Sequence, residues 1–224
     1  MDLLSGLNNE QKEAVLHIDG PCVVLAGAGS GKTGVLTKRI AYLVQQDVSP
    51  NNILAITFTN KAAGEMRSRL NSMLPNYSGG WVQTFHAACF KILRMDIDKL
   101  GYDRNFTIID DNEAKSLIKT ILKDINDYET KPEEVLQIFK RAKNSLVSYE
   151  KYFANLKEAV EIRDQYYSLF RSYTHRLKEL NALDFEDLIV LCIKLFRDFP
   201  EVLKKYQNWF KYIMIDEYQD TNYA

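Results

Sequence analysis

The 224-residue sequence has few cysteines, no surplus of either charge and no long apolar run. Each shortage removes a class of protein. The three cysteines, Cys22, Cys89 and Cys192, lie far apart and form no CxxC pair. They read as reduced, buried thiols of a cytoplasmic protein. No apolar stretch approaches the roughly 18 residues that mark a membrane span. The opening "MDLLSGLNNEQ" carries neither a basic start nor a long apolar stretch, so it is not a secretory signal. Lys and Arg number 29 against 30 Asp and Glu, a net charge of −1. That excludes a bulk-basic nucleic-acid binder; any DNA or RNA must be met through a local groove. Internal repeats and low-complexity tracts are also absent.

What is present is a globular composition, 46% hydrophobic and 26% charged, enough for a sizeable core. The first part alternates two patterns. "PCVVLA" (21–26), "NILAITFT" (52–59) and "WVQTF" (81–85) read as short buried strands. Helical stretches lie between them at 8–18, 31–46 and 60–74, with Asn8 or Asn9 and the pair Thr59-Asn60 as caps. Strand and helix at this spacing predict a parallel sheet with helices on its faces. After "FTII" (106–109) the strand signal fades until "KYIMID". Asp110 and Glu113 resemble a capping box, followed by Leu117, Ile118, Ile121, Leu122 and Ile125 at helical spacing. Residues 133–145, 149–181 and 184–208 also read as helices, with Pro132 and Pro200 at helix starts. The pattern is an α/β domain interrupted by a helical insertion.

"AGAGSGKT" (26–33) fits a phosphate-binding loop with Ala26 where the strict pattern has Gly. Ala28, Gly29, Ser30, Gly31, Lys32 and Thr33 would cradle the phosphates. The glycines let successive N–H groups point into one hollow at a helix N-terminus. Lys32 can reach the β- and γ-phosphates, and the Thr33 hydroxyl can ligate Mg²⁺. "IMIDE" supplies the second requirement: Asp216 at a strand end for the metal, and Glu217 beside it as general base. An adjacent Glu favours hydrolysis over transfer, so the expected cofactors are ATP and Mg²⁺. The long separation of Lys32 from Asp216 leaves room for further strands and the insertion.

Other residues leave alternatives open. Phe58 and Thr59 end a strand, and Phe58 reads either as a core aromatic or as a ring that stacks on a base. Asn60 and Lys61 open a helix whose N-terminus suits a phosphate. His86 reads as a buried capping histidine or a DNA contact, and Phe185 as core or part of a base pocket. Lys140, Arg141 and Lys143 read as a solvated helix face or as a strand or duplex contact.

Together these segments resemble the superfamily 1A DNA helicases of the UvrD/Rep/PcrA type, from about Leu7 to Asn222. "LNNEQKEAV" is similar to the Q motif, "AGAGSGKT" to motif I, "ITFTNKAAGEM" to motif Ia and "IDEYQDTN" to motif II. "TFHAACFKILR" and "LDFEDLI" resemble further segments of the same family. The resemblance implies a RecA-like P-loop NTPase sheet (domain 1A, residues 1–109 and 183–224) and a helical domain 1B (110–182). It implies that Gln11 bonds adenine and that Gln219 senses the γ-phosphate. Phe58, Thr59, Asn60, Lys61, His86 and Phe185 would meet single-stranded DNA. The implied activity is ATP-driven 3′–5′ translocation and unwinding at single-strand/duplex junctions in repair or replication. The chain then reads as the N-terminal part of a longer helicase, inactive without its C-terminal RecA-like domain. A helicase–nuclease subunit and a non-motor regulator are the competing readings. One position departs from the family: Gly34 stands where many members carry an arginine that stacks on adenine.

Overall fold

The computed structural model describes residues 2–27, 29–75, 77, 80–145 and 147–221. In chain order the elements are α1 (Asn9–Leu16), α2 (Lys32–Gln45), β1 (Ile53–Thr57), α3 (Asn60–Met73), β2 (Trp81–Thr84) and α4 (Phe85–Asp96). There follow β3 (Thr107–Ile108), α5 (Asp111–Asp124), α6 (Pro132–Lys143), α7 (Tyr149–Ala154), α8 (Val160–Glu179), β4 (Ala182–Leu183), α9 (Phe185–Asp198), α10 (Pro200–Trp209) and β5 (Tyr212–Ile215). They form two compact units. One takes Met1–Ala88 and Lys204–Thr221, the other Cys89–Leu203.

The first unit is built on a parallel sheet of order β2-β1-β5. β1, "ILAIT", is the central strand and is buried at four of its five positions, as a strand covered on both faces must be. Ile56 pairs with Gln83 on one side and Ile215 on the other. Because all three strands run the same way, the residues that follow each of them gather at one edge of the sheet. Those followers are Phe58 and Thr59, Phe85 and His86, and Asp216 and Glu217. In open parallel sheets this carboxyl edge is where ligands bind. Helices α2 and α3 close the core with Ile40, Leu43, Met66 and Leu70 against Ile53, Val82 and Met214.

One predicted strand does not form. Residues 21–26 are irregular, with Val23 at 81% and Leu25 at 91% exposure. A strand needs a neighbour to take its N–H and C=O groups, and apolar character alone does not supply one. No ladder partner meets this run among the described residues. β5 instead ends the sheet, and a cavity of about 640 Å³ lies between Lys211–Met214 and residues 18–20, with Arg39 in its wall. Cys22 is consequently exposed, against the expectation of a buried thiol; Cys89 is half-buried and Cys192 buried, and all three are free.

The second unit is mainly helical, with one short parallel pair, Thr107↔Ala182 and Ile108↔Leu183. Its core is aromatic: Phe139, Phe153, Phe170 and Tyr173 pack among Ile118, Leu122 and Leu136. Two expected long helices are each broken in two. The 149–181 stretch divides into α7 and α8 around residues 155–159. The 184–208 stretch stops at Phe199 because Pro200 cannot continue a helix and instead begins α10. Among the described residues no helix is long and apolar enough to cross a membrane.

Candidate nucleotide-binding site

The glycine loop and α2 form one structure. Gly29 and Gly31 adopt φ of +76° and +82°, the left-handed region where a side chain is strained. Gly31 is also the N-cap of α2 and gives it no side-chain cap. The first N–H groups of the helix are therefore left for an outside acceptor, which an anion provides. Helices α1, α3, α5 and α9 are capped by side chains, whereas α6 and α8, like α2, are not. Ser30 tightens the loop, donating to the Gly27 carbonyl at 2.7 Å. Gln11 holds it from outside: its Nε2 donates to the Ser30 carbonyl at 3.0 Å, while its Oε1 accepts from the Asn8 N–H. Lys32 folds back over the loop, with Nζ 3.1 Å from the Ala26 oxygen and 3.3 Å from that of Gly27. Ala28 lies outside the described residues.

β5 brings two acids to this loop. The Asp216 N–H extends the ladder to the Ile56 carbonyl at 2.8 Å. The Asp216 carboxylate then accepts a 3.0 Å hydrogen bond from the Thr33 hydroxyl. Two hard oxygens so placed suit Mg²⁺, which keeps several waters and takes its other ligands from phosphates. Glu217 follows at φ +54° and ψ +51°. A left-handed backbone costs a non-glycine residue about 1–2 kcal/mol, and here it turns the carboxylate back toward the loop. Its Oε1 lies 3.9 Å from Lys32 Nζ, and its Oε2 accepts from Gln219 Nε2 at 2.5 Å. Lys32, Thr33, Asp216, Glu217 and Gln219 thus form one cluster.

The predicted DNA residues fall in two places. In the first unit Phe58 is 54% exposed, which removes the core reading. Thr59 caps α3 by accepting from the Ala62 N–H at 3.1 Å, and Asn60 and Lys61 are exposed beside it. His86 is half-buried at the start of α4, and burial holds its pKa below the usual imidazole value. In the second unit Phe185 is the first residue of α9 and is 51% exposed, so it too is not core.

The basic cluster on α6 is divided: Arg141 is exposed, as a solvated face requires, whereas Lys140 and Lys143 are paired with acids. Lys143 is 2% exposed, and its Nζ meets Asp184 at 2.6 Å and Asp187 at 2.7 Å. Lys140 bonds Asp111 at 2.7 Å. Sequence reasoning did not find this pairing, although the Asp184-x-x-Asp187 spacing is itself a capping-box signal. Gly34 on α2 has open space where a Cβ would stand, so packing does not demand glycine there. Arg39, further along α2, donates to the Ala14 carbonyl at 2.9 Å.

The sheet and the helix-opening glycine loop place the chain among the α/β phosphate-loop proteins, as part of a RecA-like domain. More narrowly, the UvrD/REP helicase N-terminal domain family matches residues 7–224, and the chain belongs to that family. It is 51% identical over 227 residues to the ATP-dependent DNA helicase PcrA of Bacillus subtilis, covering 99% of this chain and 30% of that protein. The same helicase of Staphylococcus aureus is 48% identical over 228 residues, with 99% and 31% covered. That of Staphylococcus epidermidis is 47% identical over 227 residues. The chain therefore spans about 30% of the length of the curated relatives it matches.

Proposed function

We propose that these residues form the ATP-binding part of a cytoplasmic DNA helicase that moves 3′–5′ along single-stranded DNA and unwinds duplex ahead of it, in repair or replication. The observation that carries the reading is the Thr33–Asp216 hydrogen bond beside the glycine loop. It joins a phosphate cradle to an acid in the arrangement that ATP hydrolysis needs. The N–H groups of residues 29–33 hold the phosphates, and Lys32 turns from the Ala26 and Gly27 carbonyls to the β- and γ-oxygens. Thr33 and Asp216 would hold Mg²⁺, which when bound neutralises charge on the β- and γ-phosphates. Glu217 takes a proton from the water that bonds to the γ-phosphorus, and the bond from that phosphorus to the β–γ bridging oxygen breaks, leaving ADP and phosphate. In this reading Gln219, which donates to Glu217, registers the loss of the γ-phosphate. Gln11 combines loop support with recognition of the adenine edge.

DNA is read as lying on Phe58, Thr59, Asn60, Lys61 and His86 in the first unit and on Phe185 in the second. Exposed rings stack on bases and the helix opening at Asn60 receives a phosphate. Residues 1–109 and 183–224 form domain 1A in this reading, with 110–182 as domain 1B. The facing wall of the ATP site, with its arginine fingers, is assigned to a second RecA-like domain later in the protein. The test is the shift in melting temperature on adding MgADP. Lys32→Ala should abolish it, and an unchanged shift would remove the loop from the site.

A further inference from the structure

Among the described residues three helices begin with a capping box. At α1 the pair is Asn8 and Gln11, and at α5 it is Asp110 and Glu113; the hydrogen bonds of both are exposed. At α9 the pair is Asp184 and Asp187, and it is buried. Each carboxylate there does two things. Asp184 Oδ1 accepts from the Asp187 N–H at 3.0 Å, while its Oδ2 takes Lys143 at 2.6 Å and the Tyr173 hydroxyl at 3.0 Å. Asp187 Oδ2 accepts from the Asp184 N–H at 3.2 Å, while its Oδ1 takes Lys143 at 2.7 Å. One turn earlier on α6, Lys140 lies 3.7 Å from Glu186. Two lysines of α6 thus hold all three acids of residues 184–187. Phe185 is the one residue of the four that is exposed.

Stability does not explain this arrangement. One buried lysine faces two carboxylates, and replacing buried ionic groups with apolar ones of similar volume is often neutral or stabilising. What such groups can supply is a single geometry. Lys143 ends α6, Tyr173 sits within α8 and Asp184 opens α9, so the node fixes the direction of α9 at its first residue. We infer that Lys143 and Tyr173, acting through Asp184 and Asp187, are positioning residues that aim the Phe185 ring for stacking on single-stranded DNA. The inference rests on the proposed role of Phe185 in DNA binding. It predicts that disturbing the node weakens DNA binding only while the ring is there to be aimed.

The experiment is a double-mutant cycle on the intact protein, read as affinity for a fluorescent oligothymidylate, with melting temperature measured alongside. Phe185→Ala should weaken binding roughly tenfold, the loss expected for one base–aromatic stack. Lys143→Met should weaken it several-fold in the parent and by much less in the Phe185→Ala background. Tyr173→Phe removes a single hydroxyl and carries the same test if Lys143→Met does not fold. An equal weakening in both backgrounds would overturn the positioning role while leaving Phe185 as a DNA contact. Unchanged binding on disturbing the node, in a folded protein, would overturn it equally. Unchanged binding in Phe185→Ala alone would instead overturn the assigned role of Phe185, and this inference with it.

Discussion

The Thr33 hydroxyl donates to Asp216 across 3.0 Å, joining the first turn of α2 to the end of β5 over 183 positions of chain. Both residues are half-buried at the carboxyl edge of the sheet. The bond brings together the two oxygens that the proposed Mg²⁺ site requires. Thr33→Ala and Asp216→Ala should therefore lower the Mg²⁺-dependent part of nucleotide affinity by about 10–100-fold. They should leave metal-free ADP binding nearly unchanged. Parallel titrations of ADP with Mg²⁺ and with a chelator check this.

Gln11 joins two structures through one amide, the capping box of α1 and the Ser30 carbonyl of the loop. Gln11→Ala removes both bonds. It should cost about 1–2 kcal/mol of stability in urea unfolding and weaken nucleotide binding in the same protein. A loss of stability with intact nucleotide affinity would confine Gln11 to the helix cap.

The buried node gives a pH dependence with a definite sign. Desolvation, reinforced by the neighbouring Asp184 and opposed by Lys143, pushes the Asp187 pKa up to about 6. A carboxylate with a raised folded pKa is protonated in the folded protein before it is in the unfolded one. Its ionisation therefore costs stability progressively as pH rises from about 4 to above 6. The groups facing it are Lys143 on α6, Asp184 at the N-cap of α9, Tyr173 on α8, Tyr149 on α7 and Tyr102 in the loop before β3. Asp187→Asn should accordingly stabilise the protein at pH 8 by on the order of 1–3 kcal/mol relative to its effect at pH 5. Chemical denaturation at the two pH values measures the difference; an equal effect at both would contradict it.

The sequence and the structure agree where chemistry is local. The glycine loop, the Thr59 cap, the cap at Asn8 and the capping box at Asp110 are each written within a few residues, and each forms. They diverge where an outcome depends on a distant partner. The run 21–26 has strand character throughout, but strand formation needs a neighbouring ladder and the sheet ends at β5. The apolar rhythm continues through residues 155–159 and through Pro200, so periodicity alone joins helices that the backbone separates. Lys143 stands among basic neighbours on α6 and reads as surface. Its burial depends on Asp184 and Asp187, some forty positions on, which no local pattern reveals. The exposure of Phe58 and Phe185 is likewise settled by tertiary packing, since either ring at an apolar strand end or helix start is equally compatible with a core.

The central claim is that Glu217, held beside Lys32 and Gln219 at the end of β5, is the base of an ATP-hydrolysing site. Steady-state ATP hydrolysis by the intact protein, with and without single-stranded DNA, tests it most directly when set beside Glu217→Gln. The expected result is DNA-stimulated hydrolysis that falls by about 10²–10⁴-fold in the variant, the contribution of a positioned general base, while ATP affinity is retained. Hydrolysis by Glu217→Gln at the parent rate would contradict the account.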